Sequence, residues 1–150
     1  MQQVTVKYKV LDPRAQAPAY ATAGAAAADL CALLDAPLTL APMERALIPT
    51  GLAIELPGAG TVALVYARSG LAIKHGLCMA NGVGVIDADY YNNPDNEGHI
   101  MFQFVNFGVT DVTIKKGERI GQGIFLPFLK ADQDETMSTR TGGFGSSNQE

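Results

Sequence analysis

What most limits the folds open to this chain is the shortness of its apolar runs, most of which are cut off by glycine, proline or asparagine. Val4, Val6, Tyr8 and Val10 alternate with polar residues as a half-buried strand does, until Pro13 ends the run. Further runs cover residues 52–56, 61–66, 77–80, 83–86, 100–105, 112–114 and 120–126. With 16 Gly and 8 Pro as punctuation, this pattern predicts an all-β sandwich or barrel rather than alternating strands and helices. One stretch pulls the other way. Residues 21–34 are rich in alanine, the best helix former, so local propensity alone predicts a helix there.

A chain of 150 residues is long enough to bury one core without disulfides or a structural metal, and one domain is expected. After Pro127 the character changes. Residues 132–150 offer a core only Met137 and Phe144, and they end in glycine, serine and polar groups. The expected division is a β core over residues 1–131 and a flexible C-terminal arm over 132–150. Within the arm, Arg140-Thr141-Gly142-Gly143-Phe144-Gly145-Ser146 combines a cation, an aromatic ring and three glycines. It can be read as an ordinary flexible terminus or as a strap around a ligand. A P-loop is excluded, since no Gly-Lys-Ser/Thr follows and no strand precedes it.

Charge and cysteine content exclude several classes. The net charge is −4, from 11 basic and 15 acidic residues without like-charge runs, so no direct nucleic-acid partner is expected. Cys31 and Cys78 lie far apart and only His75 and His99 could join them, too few for a zinc cluster; both thiols are expected to be buried. The opening MQQVTVKYKV is not a signal or transit peptide, and no apolar run approaches the roughly 20 residues of a membrane span. No membrane association and a cytoplasmic location are the expectations.

Three segments could carry chemistry. Tyr66-Ala67-Arg68-Ser69-Gly70-Leu71 joins a strand to a short helix, with Ser69 expected as N-cap. Backbone N–H groups, a hydroxyl and a guanidinium would then meet where a phosphate can sit; a capped turn with a surface arginine explains the same residues. In Gly84-Val85-Ile86-Asp87-Ala88-Asp89-Tyr90 an apolar strand runs into two carboxylates one residue apart, on the same side if the strand stays extended. Such a pair suits general-base or metal work, or is simply a polar turn. In Gly117-Glu118-Arg119-Ile120-Gly121-Gln122-Gly123-Ile124-Phe125, Gln122 is the one uncharged polar side chain, which by itself reads as an exposed strand residue.

Taken in order, these segments resemble the five motifs of the trimeric dUTPase family, of bacterial or phage type. Ala27-Ala28-Asp29-Leu30-Cys31-Ala32 resembles the first, Arg68-Ser69-Gly70-Leu71 the second, Asn81 through Tyr90 the third, Gly117 through Phe125 the fourth, and Arg140 through Ser146 the fifth. The resemblance implies a jelly-roll-like β-clip subunit with at most one short helix. It places the first motif on a strand, overriding the helix that alanine content predicts. It implies a homotrimer with sites at subunit junctions and an arm that closes over a neighbour's nucleotide. The implied reaction is hydrolysis of dUTP to dUMP and pyrophosphate, which limits uracil incorporation into DNA and supplies dUMP for dTMP synthesis.

By similarity, Asp87 is the catalytic residue that holds and deprotonates the attacking water, and Tyr90 packs under the deoxyribose. Asn81 and the backbone of Gly84, Val85 and Ile86 read the uracil edge. Arg68, Ser69, Gly70 and Gln122 contact phosphate; Arg140, Phe144, Gly145 and Ser146 belong to the closing arm. Asp29 steadies a hydrated Mg²⁺ through water. The chain departs from the common pattern at Ala67, where many members have proline, and in a longer stretch, Tyr91-Asn92-Asn93-Pro94-Asp95-Asn96-Glu97, expected as a surface loop. Two alternatives share parts of this pattern: a dCTP deaminase, and a regulatory trimer that engages an additional protein partner, with the 91–97 loop as the first place to look.

Overall fold

The computed structural model describes residues 5–133 and 136–145; Val4 of the first apolar run lies outside them. The chain forms strands β1 (Lys7–Val10), β2 (Ala19–Tyr20), β3 (Ala28–Cys31), β4 (Leu38–Leu40), β5 (Arg45–Glu55) and β6 (Thr61–Ala67). Helix α1 (Ser69–His75) follows, then β7 (Leu77–Met79), β8 (Val83–Ile86), a 3-10 turn (Ala88–Tyr90), β9 (His99–Asn106), β10 (Val112–Ile114) and β11 (Arg119–Pro127). One sheet has the order β1-β5-β9-β7, a second β2-β3-β11-β6-β8, and β10 pairs with β4 as a separate ribbon. The fold is all-β with one short helix, as the runs and their punctuation predict.

The two larger sheets enclose the core. Along β9, Ile100, Phe102 and Phe104 are buried and alternate with Met101, Gln103 and Val105, which are not. From the second sheet come Leu30, Val65 and Ile120, all almost fully buried. Alternate residues of a strand point to opposite faces, so each sheet presents one apolar face and the two faces pack together.

The alanine-rich stretch is not helical. Ala28, Asp29 and Leu30 stand opposite Gly123, Gln122 and Gly121 of β11, and Ala28 and Leu30 are buried. Sheet pairing and burial outweigh a propensity difference of well under 1 kcal/mol per residue.

Strand β5 breaks register with β9 between Pro49 and Ala53, where Gly51 takes φ +72°. The irregularity removes Gly51 from the ladder, and its N–H donates instead to His99 Nε2 at 2.9 Å. Beside it, the Thr50 hydroxyl donates to the Ile100 carbonyl at 2.7 Å. Acceptance at Nε2 requires that nitrogen to be unprotonated, and burial, only partly opposed by Asp12, lowers the His99 pKa below its ordinary value. Where the folded-state pKa lies below that of the unfolded chain, near 6.5, the unfolded state binds more protons as pH falls. His99 therefore contributes stability that is fully present above about pH 6.5 and declines below it. The urea midpoint should be lower at pH 5.5 than at pH 7.5, and the difference should shrink in His99→Gln; an equal pH response in both proteins would count against this account.

Candidate active site

Two clefts receive nearly all the residues singled out by sequence. The first lies where β3, β6, α1 and β11 meet and is lined by Asp29, Arg68, Ser69, Gly70, Lys74, Arg119 and Gln122. Its floor is a cross-strand row: Asp29 stands opposite Gln122, and Gln122 opposite Tyr66. Asp29 is only 8% exposed. Its Oδ1 lies 3.2 Å from Arg68 Nε, and its Oδ2 accepts a hydrogen bond from Arg119 Nη1 at 3.0 Å. One carboxylate thus holds two guanidinium groups side by side at the rim of a cleft that also contains Lys74. Cations outnumber carboxylates, which suits a polyphosphate.

Arg119 was not marked by the sequence as a phosphate-site residue. Strict alternation would put residues 119 and 122 on opposite faces of β11. A register shift between Arg119 and Gly121 inserts an extra residue against β3, and this bulge turns Arg119 toward Asp29. The signal available beforehand was a glycine-flanked strand start within the Gly117–Phe125 segment.

Ser69 differs from expectation. Arg68, extended at φ −73° and ψ 138°, is the N-cap of α1, and no side chain makes the cap bond. Ser69 is the first helical residue and lines the cleft next to Gly70.

The second cleft is lined by Asn81, Gly84, Val85, Ile86, Tyr90, Arg140, Phe144 and Gly145, with Val65 and Met79 among its apolar walls. Asn81 Nδ2 donates to the Val83 carbonyl at 3.2 Å and so pins the turn between β7 and β8. A Cβ at Gly84 would lie 2.4 Å from Val65 Cγ2, so only glycine lets β8 lie this close to β6. Tyr90 closes the end of the cleft and is 8% exposed. Its hydroxyl donates to the His99 carbonyl at 2.8 Å and accepts from Asn96 Nδ2 at 3.0 Å. Burial raises its pKa, which keeps the phenol protonated.

Asp87 and Asp89 do face the same way, but not along an extended strand. Strand β8 ends at Ile86, and Ala88–Tyr90 forms the 3-10 turn. Arg140 joins the two carboxylates: Nη2 reaches Asp87 Oδ2 at 2.6 Å and Nε reaches Asp89 Oδ1 at 2.9 Å. Its guanidinium also sits 5.9 Å from the centre of the Tyr90 ring. Arg140, Phe144 and Gly145 therefore lie against the chain's own second cleft. Ser146 lies outside the described residues.

Among the described residues no group of three or more His, Cys, Asp or Glu could hold a metal ion. The donor chemistry fits Mg²⁺ in another way. This ion gives up water reluctantly and is commonly held by substrate phosphates together with one or two carboxylates. Each Asp29 oxygen faces one guanidinium and keeps lone-pair capacity for water. Asp29 can therefore touch the water shell of an ion that arrives with a triphosphate.

The 91–97 loop is a surface loop only on its outer side. Asn92, Pro94, Asp95 and Glu97 are exposed, whereas Asn93 is buried. Among the described residues, no helix is long and apolar enough to cross a membrane.

A basic cleft with an embedded carboxylate, a second cleft walled by a hairpin and a tyrosine, and a paired carboxylate under an arginine-bearing arm define a nucleotide-processing β protein. The dUTPase family model matches residues 13–148. The chain is 48% identical over 149 residues to a deoxyuridine 5'-triphosphate nucleotidohydrolase of Desulfitobacterium hafniense, with 96% of this chain and 95% of the relative covered. The corresponding protein of Lactococcus lactis is 55% identical over 111 residues, 73% of each chain. The crystal structure of dUTPase from Streptococcus mutans aligns with a TM-score of 0.74 at 38% identity, covering 83% of this chain and 98% of that one. The chain belongs to the dUTPase family.

Proposed function

We propose that this chain, a dUTP diphosphatase by family, hydrolyses dUTP by in-line attack of an Asp87-held water on the α-phosphorus. The observation that carries this reading is the pairing of Asp87 with a displaceable cation: its carboxylate is held by Arg140, whose guanidinium a phosphate would compete for. Once Arg140 turns to the terminal phosphate, Asp87 Oδ2 is free to accept a proton from water. The new bond forms between the water oxygen and the α-phosphorus as the bond to the pyrophosphate oxygen breaks, and the proton passes to Asp87. The products are dUMP and pyrophosphate, which fits roles in limiting uracil in DNA and supplying dUMP for dTMP synthesis, and fits a cytoplasmic setting.

Arg68 and Arg119, gripped by Asp29, bind the phosphate chain with Ser69, Gly70 and Gln122. Mg²⁺ would neutralise charge on the triphosphate, with Asp29 meeting its water shell. Asn81 and the backbone of Gly84, Val85 and Ile86 meet the uracil edge and leave cytosine's amino group unmatched. Tyr90 packs under the sugar where a ribose 2'-hydroxyl would need space. Phe144 stacks over the base.

A homotrimer accounts for the separation of the clefts. No described residue lines both, yet one nucleotide must use both. Joining the first cleft of one subunit to the second cleft of its neighbour satisfies this, with the arm closing over the assembled site.

Pyrophosphate release from dUTP, dCTP, dTTP and UTP, each with Mg²⁺ and then with EDTA, tests the reading. Rapid Mg²⁺-dependent release from dUTP alone is expected. Ammonia release from dCTP, with dUTP untouched, would move the chemistry from phosphorus to the base.

A further inference from the structure

The 91–97 loop holds two asparagines whose polar atoms are spent inward. Asn93, 4% exposed, donates through Nδ2 to the Tyr90 carbonyl at 2.8 Å and to Asn96 Oδ1 at 2.7 Å. Its Oδ1 accepts from the Asp95 and Asn96 backbone N–H groups at 3.0 and 3.1 Å. Asn96 Oδ1 also accepts from the Gly98 N–H at 3.1 Å, and Asn96 Nδ2 donates to the Tyr90 hydroxyl at 3.0 Å. A chain of amides thus runs from the Tyr90 backbone, through Asn93 and Asn96, back to the far end of the Tyr90 ring.

From this geometry we infer that Asn96, braced by Asn93, is a positioning residue that fixes the Tyr90 ring and thereby sets discrimination between deoxyribose and ribose. The inference rests on the reading of Tyr90 as the wall beneath the sugar. Core packing limits the Tyr90 ring but leaves its hydroxyl end some freedom to tilt. Fixing its hydroxyl with one donor and one acceptor removes that freedom, so the wall keeps its place when a 2'-hydroxyl presses on it. Asparagine is suited to the position because a single short side chain supplies both the donor for Tyr90 and the acceptor for Asn93 and Gly98.

Two further contacts support a role in positioning. On the outer side, Lys9 Nζ holds the loop to β1 through Asn92 Oδ1 at 2.8 Å and Glu97 Oε1 at 3.0 Å. On the inner side, the arm seats against the same pair of residues. A Cβ on Gly143 would come within 2.7 Å of Tyr90 Cε2 and 3.1 Å of Asn96 Nδ2.

Asn96→Asp keeps the acceptor oxygen for Asn93 and Gly98 but puts an acceptor where the donor to Tyr90 stood, so the single hydroxyl proton can no longer satisfy the His99 carbonyl and residue 96 together. The ratio of kcat/KM for dUTP to that for UTP should fall about five-fold, the scale of one neutral hydrogen bond. The change should appear mainly in KM, with kcat for dUTP changing less than the ratio. Tyr90→Phe, which also gives up the bond to the His99 carbonyl, should give a fall at least as large, and adding Asn96→Asp to it should produce no further loss, because Asn96 acts on the ring through the hydroxyl already removed. Additive losses, or an unchanged ratio in Asn96→Asp, would overturn the inference. Tyr90→Ala separates this from failure of the underlying reading. If its ratio falls while Tyr90→Phe and Asn96→Asp keep theirs, the sugar wall stands and the brace is refuted; an unchanged ratio in Tyr90→Ala removes both.

Discussion

Asp87→Asn should lose on the order of 100-fold or more in turnover while keeping its fold and its affinity for nucleotide, the scale expected for removing a general base. Asparagine has nearly the same size and can still orient a water through its carbonyl oxygen, but it cannot take the proton. Asp87 sits at the start of the 3-10 turn and makes no side-chain cap bond there, so the substitution leaves the local backbone without a lost partner. Arg140 loses one of its two anionic partners and keeps Asp89. The arm should consequently be held less tightly before substrate arrives. Single-turnover pyrophosphate release, beside the binding of a non-hydrolysable dUTP analogue and a thermal melt, separates these effects. Turnover near that of the unaltered protein would remove Asp87 from the chemistry.

The second large effect is expected in the core beneath the first cleft. Gly121→Ala should destabilise the fold by about 2–3 kcal/mol, the upper part of the range for overpacking a core, which for a chain of this size lowers the melting temperature by roughly 5–10 °C. A Cβ at this position would lie 2.1 Å from Phe102 Cζ and 2.3 Å from Cε1. Phe102 is fully buried and stacked on Phe104 with ring centres 6.1 Å apart, so the ring has nowhere to retreat. The sheets must separate locally or β11 must shift. Either response disturbs the bulge that turns Arg119 toward Asp29, so activity should fall as well. Phe102→Leu in the same chain should restore part of the lost melting temperature; a double variant no more stable than Gly121→Ala would place the strain elsewhere.

Much of the fold is legible because β-strand alternation is a local signal. The run at 100–105 and the strand His99–Asn106 nearly coincide, as do 61–66 and Thr61–Ala67. The alanine-rich stretch is not legible in that way: its strand state depends on glycines of β11 nearly a hundred residues later, which propensity cannot register, and the family resemblance supplies what the local signal lacks. The same limit explains Arg119, whose direction is set by a bulge visible only in the pairing with β3. It also explains Ser69, a good N-cap by type that yields the position to Arg68 because β6 remains paired with β11 through Ala67. The 91–97 loop reads as polar and hence as surface; that Asn93 points inward follows from a hydrogen-bond network closed by Tyr90, not from composition.

If one nucleotide uses both clefts, as proposed, the fact that no described residue lines both has a genetic consequence. In the proposed trimer, a chain damaged at Arg68 still carries a sound second cleft, and a chain damaged at Asp87 still carries a sound first one. Neither assembles a working site with copies of itself. Expressed together, the two defective alleles form mixed trimers in which the undamaged halves meet at some junctions, so a cell carrying both can recover an activity that neither allele encodes alone.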